Sequence, residues 1–187
     1  MPTIRAHRSA SYPPRTFENA SRADLTAAFA LDFSTAGERL TKKAADGRYV
    51  ALPLASPAID QARSLFAALR ATGVSLPTLN IAGNGLYSLA EAGWDQAAVN
   101  AHLLAVLAPV HRHWPIGQVV SGGQTGIDWA GCVAATALGI ASDMLLPAGF
   151  LQRGLDHQDA PQDPAALHAR LLAEARALAP LLERLDA

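Results

Sequence analysis

The chain has 187 residues, half of them hydrophobic and 17% charged, with a formal net charge of −1. That composition suits one ordinary domain with a real core and excludes a disordered or low-complexity chain. It also lacks the strong basic balance of a dedicated nucleic-acid binder, and its single cysteine excludes an internal disulfide framework.

The first 48 residues carry eight Arg/Lys against five Asp/Glu, whereas the remainder carries seven against eleven. The opening stretch has no periodicity and contains Pro13-Pro14, so residues 1–23 are expected as a flexible tail and residues 24–187 as a single α/β domain. Thr35-Ala36-Gly37-Glu38 fits a capping box, which predicts a helix through Ala45 that stops at Gly47 and exposes Arg39, Lys42 and Lys43. Residues 49–54 read as a strand. Ser56-Pro57 then supplies a helix start with proline at the first helical position, and Gly73 supplies a stop. Further strands are expected at residues 78–82, 118–120 and 142–146, with helices at 95–110 and 127–138 and a last helix over 164–184. Strands alternating with helices of this length predict a three-layer Rossmann-like α/β fold, with at least four strands in a mainly parallel sheet and helices on both faces. No apolar stretch approaches the roughly 18 residues that cross a bilayer. No Cys/His spacing matches a structural zinc site, so no metal centre is expected, and reduced cytoplasm fits the lone Cys132, read here as core.

A parallel sheet takes its ligand outside the carboxyl ends of its strands. Two predicted turns there are glycine-rich. In Ser121-Gly122-Gly123-Gln124-Thr125-Gly126-Ile127-Asp128 the glycines permit positive φ and close approach, and the first helical turn offers free N–H groups to an anion. The hydroxyls of Ser121 and Thr125 and the Gln124 amide add donors. Asp128 has two readings: it stabilises the helix N-terminus, or it accepts hydrogen bonds from a ribose or base. No lysine follows the last glycine, so this is not a Walker A loop, and it is not the G-x-G-x-x-G fingerprint either; ATP hydrolysis is therefore not indicated. The second turn, Gly83-Asn84-Gly85, is positioned to line the same crevice from the other side.

The octapeptide, followed by Ala134-Ala135, Leu138-Gly139-Ile140 and Pro147-Ala148-Gly149, is similar to the SGGQTG-x-D motif of the molybdenum-cofactor carrier family. It also resembles the SGG-x-x-GID turn of DNA-processing protein A (DprA/Smf), and Ile81 to Gly85 resembles that family's earlier glycine-containing turn. Both families belong to a Rossmann-like superfamily that includes the cytokinin-activating phosphoribohydrolases, whose PGGxGTxxE signature is missing here. The resemblance covers about residues 78 to 150 and implies a nucleotide or nucleotide-like phosphate ligand, with a carrier of molybdenum-cofactor type as one form of it.

The expected function is therefore binding of a phosphate-bearing small molecule. The alternatives are a nucleotide-processing hydrolase, using Asp128 or a group of the Arg153-Gly154-Leu155-Asp156-His157 loop, and a DprA-like single-stranded DNA module using the basic N-terminal segment. No catalytic residue and no cofactor is singled out. His111-Arg112-His113 complements a helix C-terminus, and the leucine stripe of the last helix serves core packing or a homo-oligomer seam.

Overall fold

Apolar runs flanked by turn residues leave little choice but alternation, and the computed structural model, which describes residues 2–186, shows it. The order is β1 (Thr3–Ala6), α1 (Tyr12–Ser21), β2 (Leu25–Ala30), α2 (Ala36–Ala45), β3 (Tyr49–Pro53), α3 (Ala58–Thr72), β4 (Thr78–Gly83), α4 (Leu86–Glu91) and α5 (Gln96–His113). It continues with β5 (Gln118–Ser121), α6 (Ile127–Ala137), β6 (Ala141–Leu146), β7 (Leu151–Arg153), β8 (Asp159–Pro161), α7 (Pro164–Ala177) and α8 (Ala179–Asp186). Six strands form one sheet in the order β1-β6-β5-β4-β2-β3, and every neighbouring pair is parallel. Helices α1 and α2 pack together in one layer, while α3, α5, α6 and α7 form the other. The molecule is a three-layer Rossmann-like α/β fold with a parallel central sheet, as the alternation predicts.

Beyond the expected strands the chain forms the small β7–β8 hairpin and two more strands of the central sheet, and these two lie where the pattern is weakest. β2 is half alanine, a poor strand former, yet all six of its residues are buried because it is a central strand covered on both faces. Residues 3–21, expected as part of a flexible tail, instead form β1 and α1. Pro13 and Pro14 do not oppose the helix, because proline is compatible with a first helical turn whose N–H groups have no intrahelical partner. The expected last helix is two helices. Pro180 cannot donate to the carbonyl one turn back, so α7 closes at Leu178 and α8 starts afresh. Pro57 is the N-cap of α3 and has no side-chain cap bond, so Ser56 does not act as predicted.

The core lies mainly between the sheet and the α3–α5–α6–α7 layer. Residues 127–135 of α6 are all buried, and Gly131 admits the Ile81 side chain, whose Cγ2 would lie 2.7 Å from a Cβ at that position. Cys132 is buried there as expected, and burial pushes its thiol up to about 12.

The exposed edge strand β1 is tied down by charge. Arg5 donates to both oxygens of Asp143 on β6, at 3.0 and 2.7 Å, and Arg22, just beyond α1, donates to the same carboxylate. Burial works to raise the Asp143 carboxyl, but the two guanidiniums outweigh it and hold it below the usual carboxylate range. Its contribution is thus present at neutral pH and fades as the pH falls through that depressed value. Asp143→Ala is expected to lower the unfolding free energy at pH 7 by about 2 kcal/mol, less than a fully buried pair because both arginines can rehydrate. Denaturant titration measures the loss, and hydrogen exchange should localise it to β1 and α1.

Candidate functional site

From β2 the chain steps outward to β3, then returns to β4 and proceeds through β5 to β6, so the winding direction reverses between β2 and β4. Connections on the two sides leave over opposite faces of the sheet, which opens a crevice at the carboxyl ends of those strands. A cleft of about 240 Å³ lies at that point. One wall is α1, through Tyr12, Arg15, Thr16 and Asn19, and a second is α2, through Gly37, Glu38 and Thr41. Asn80 and Ala82 of β4 contribute the sheet side, and Arg153 stands at the rim.

Of the residues expected from sequence, Gly83, Gly85, Gly122, Gln124, Thr125 and Asp128 line this cleft. Asn84, Ser121, Gly123 and Gly126 support it from behind. The two glycine-rich turns are joined directly: the Leu86 N–H donates to the Thr125 carbonyl and the Ile127 N–H to the Asn84 carbonyl, both at 3.1 Å. The Asn84 side chain accepts from the Leu31 N–H at 2.7 Å and so connects both turns to the end of β2. This close approach requires Gly126, which has φ of 94° and where a Cβ would lie 2.5 Å from the Asn84 carbonyl oxygen.

The donors assigned to a ligand by sequence are mostly spent within the chain. The Gly123 N–H donates to Ser121 Oγ at 3.1 Å and the Gly126 N–H to Gln96 Oε1 at 2.7 Å. The Gln124 amide donates to the Leu151 carbonyl at 2.8 Å and accepts from the Arg153 N–H at 2.9 Å, while the Thr125 hydroxyl donates to the Arg153 carbonyl at 2.8 Å. Together with Gln152 Nε2, which donates to the Gly123 carbonyl, these bonds strap the β7–β8 hairpin to the turn. Gly122 admits the protein's own ion pair, because a Cβ there would collide with the Arg15 guanidinium and the Asp128 carboxylate. Of the expected cradle of backbone N–H groups at residues 122–127, those of Gly123, Gly126 and Ile127 are bonded within the chain and that of Gln124 approaches Asp128, so the turn is largely an internally bonded scaffold. Its polarity faces the cleft through side chains.

Those side chains are buried and closely coupled. Arg15 Nη1 lies 3.6 Å from Asp128 Oδ2. Burial raises the Asp128 carboxyl, opposed by Arg15 and by the N–H groups of Gly83 and Gln124. Arg15 stays a guanidinium, since arginine is not deprotonated in proteins, and Asp128 is the anion that offsets it. Glu38 was legible as a capping residue only. Its backbone N–H does donate to Thr35 Oγ1 at 3.3 Å, but its carboxyl turns into the cleft instead of reaching back. It is 5% exposed, and Oε2 has no hydrogen-bond partner. Burial first, and the nearby negative charge of Asp128 second, push the carboxyl up to about 7.

Sequence reasoning passed over three residues here: Glu38, Arg15 and Asn19. The available signal was helical spacing, since Glu38, Thr41 and Ala45 share the buried stripe of α2, and Arg15 and Asn19 lie one turn apart on the buried face of α1. A charged residue on an apolar stripe marks a site or a pair. At the rim, Arg153 makes a two-point ion pair with Asp159 at 2.9 and 3.0 Å, and the Tyr12 hydroxyl donates to the same carboxylate at 2.6 Å. Of the remaining loop candidates, Asp156 accepts from the Gln158 N–H within the exposed hairpin turn, and His157 stacks on Tyr87 with ring centroids 4.6 Å apart. Among the described residues no cluster of three or more His, Cys, Asp or Glu could hold a metal ion, and no helix is long and apolar enough to cross a membrane. No protein-family model matches the chain, and no curated protein or solved structure matches it.

Two expectations follow. A carboxyl near 7 in the folded chain but near its ordinary 4.5 when unfolded destabilises the protein progressively as the pH rises from about 4.5 to 7, by about 3 kcal/mol in full. Glu38→Gln, which cannot ionise, should unfold at higher denaturant than the parent at pH 8 and show little of that advantage at pH 4.5. Gly126→Ala, which forces a positive φ and a collision with the Asn84 turn, is expected to cost about 2–3 kcal/mol in the same titration.

Proposed function

We propose that the cleft at the carboxyl ends of β2, β4 and β5 binds a nucleotide or a nucleotide-like phosphate ligand. The observation that carries this reading is a set of buried polar atoms with no partner. Arg15 Nε, Asn19 Oδ1 and Glu38 Oε2 are the side-chain atoms of this kind among the described residues, and all three belong to residues that line the one cleft. An unmet buried donor or acceptor costs about 1–3 kcal/mol, so a fold that gathers them at its topological switch point is arranged for a partner that meets them. The resemblance of Ser121 to Asp128 to the molybdenum-cofactor carrier and DprA motifs supports the same class of ligand.

The polar body of the ligand enters the cleft, and its phosphate stays at the mouth beside Arg153, a rim cation whose pair with Asp159 is partly exposed and so, unlike the buried Arg15–Asp128 pair, can open to a ligand. A single-stranded DNA role is weakened because three of the eight cations in the basic N-terminal segment are engaged within the chain: Arg5 and Arg22 bind Asp143, and Arg15 pairs with Asp128. A hydrolytic role has one observation in its favour. A carboxyl near 7 beside a carboxylate suits a general acid, and Glu38 is that group.

A thermal-shift panel of nucleoside monophosphates, dinucleotides and pterin phosphates tests the reading. A member present at about 100 times its Kd should stabilise the fold by about 2.7 kcal/mol, which is roughly 5–10 °C for a chain of this size. A panel with no shift sinks the proposal. Incubation of the chain with the member that binds, followed by chromatography, separates carriage from hydrolysis: a product that forms with the parent and not with Glu38→Gln establishes the second reading. Asp128→Asn is a poorer probe because it leaves Arg15 buried without its counter-charge.

A further inference from the structure

The ligand reading above leaves open which part of the molecule occupies the inner end of the cleft, and the chemistry of the three unpartnered atoms narrows it. We propose that Arg15, Asn19 and Glu38 form a subsite for the vicinal hydroxyls of a sugar, and that this subsite takes no phosphate. The inference rests on the ligand reading and goes beyond it by assigning a chemical group to a place.

Three observations carry it. The first is the donor inventory. Arg15 Nε can only donate, Asn19 Oδ1 can only accept, and the Glu38 carboxyl accepts when ionised and both donates and accepts when protonated. A hydroxyl is the small neutral group that donates and accepts at once, and two on adjacent carbons can answer three such atoms from one rigid ring. A phosphate oxygen accepts only, so it meets Arg15 and leaves Asn19 and an ionised Glu38 unmet.

The second is charge. Arg15 is already offset by Asp128 at 3.6 Å, and Glu38 adds a second acidic group on the opposite wall. A phosphate placed among them would face two acids across one neutralised cation in a site of low dielectric, where like charges repel strongly. A neutral hydroxyl meets no such penalty.

The third is the surroundings and their size. Tyr12, Thr16, Thr41 and Asn80, which complete the lining on this side, are neutral polar groups. The cleft, at about 240 Å³, falls just below the range of ordinary small-molecule sites, about 300–1,000 Å³, which suits a small polar ring more than an extended phosphate chain. Arg153, partly exposed at the rim, places a cation for the phosphate on the ring's far side.

The test compares matched probes that differ by one hydroxyl. Binding of adenosine, guanosine, cytidine and uridine monophosphates and of ribose 5-phosphate is measured by calorimetry against the 2′-deoxy form of each, with inorganic phosphate as a further titrant. The expected result is a loss of at least about tenfold in affinity for the deoxy form of whichever probe binds, because its missing hydroxyl leaves buried groups unmet. Asn19→Ala and Glu38→Gln should each shrink that ratio below about threefold while the variants remain folded by circular dichroism, and inorganic phosphate should not compete with the sugar. If Asn19→Ala fails to fold, Glu38→Gln alone decides, since it is expected to be at least as stable as the parent. A ribose probe that binds no better than its deoxy partner, or a ratio unchanged in both variants, overturns the subsite while leaving the nucleotide reading intact. Absence of binding by every ribose probe overturns the subsite, and the nucleotide reading falls with it only if the dinucleotides and pterin phosphates also give no thermal shift.

Discussion

The buried pair between Arg15 and Asp128 is the constraint around which this molecule is organised. It joins a helix that precedes the central strand β2 to the first turn of α6, at the place where the winding of the sheet reverses. A pair of this kind is stable only while both partners are held in position, since losing either leaves an uncompensated charge in the interior. The glycine at 122 keeps the space it occupies, and the N–H groups of Gly83 and Gln124 approach the same carboxylate. The glycine-rich turn and the N-terminal helix are thus one unit, although most of the sheet lies between Arg15 and Asp128 in the chain.

That unit gives the glycines a different meaning from the one their spacing suggests. A run of three glycines with hydroxyls between them resembles a bed for an anion, and in many α/β proteins free N–H groups at such a turn serve that purpose. Here Gly122 admits an ion pair, Gly126 admits the Asn84 turn, and Gln124 and Thr125 hold a hairpin. The turn is a joint among four parts of the chain, and the polar cleft is the space those parts enclose.

How much of this was legible from the amino-acid order depends on the range of the interaction concerned. The alternation of Val- and Leu-rich runs with helices of regular spacing is local, so the α/β class, strands β3 to β6 and helices α2, α3, α5 and α6 follow from it, with no boundary more than three residues away. Strand β2 was hidden because its alanines owe their conformation to burial between two layers, which no local propensity records. β1 was hidden because what orders it is a carboxylate on β6, 138 positions away from Arg5. That the two glycine-rich turns lie at strand ends was legible, but the side chains that line the cleft beside them were not. Arg15, Asn19 and Glu38 come from helices that no motif marks, and Glu38 was disguised by a capping role its backbone fulfils and its carboxyl does not.

The edge pairing also bears on when the molecule becomes competent. Strands β2 to β5 can assemble from neighbours along the chain, but α1 gains its anchors only when β6 arrives to pair with β1 and when α6 delivers Asp128. Contacts of such long sequence separation form late, because the intervening loop must close before they return any energy. A ribosome-bound chain that has emerged only as far as β5 can hold a partial sheet but has no α6 to close the cleft. Closure of the cleft is therefore acquired near the end of folding, and the pairing of β1 with β6 acts as its timer.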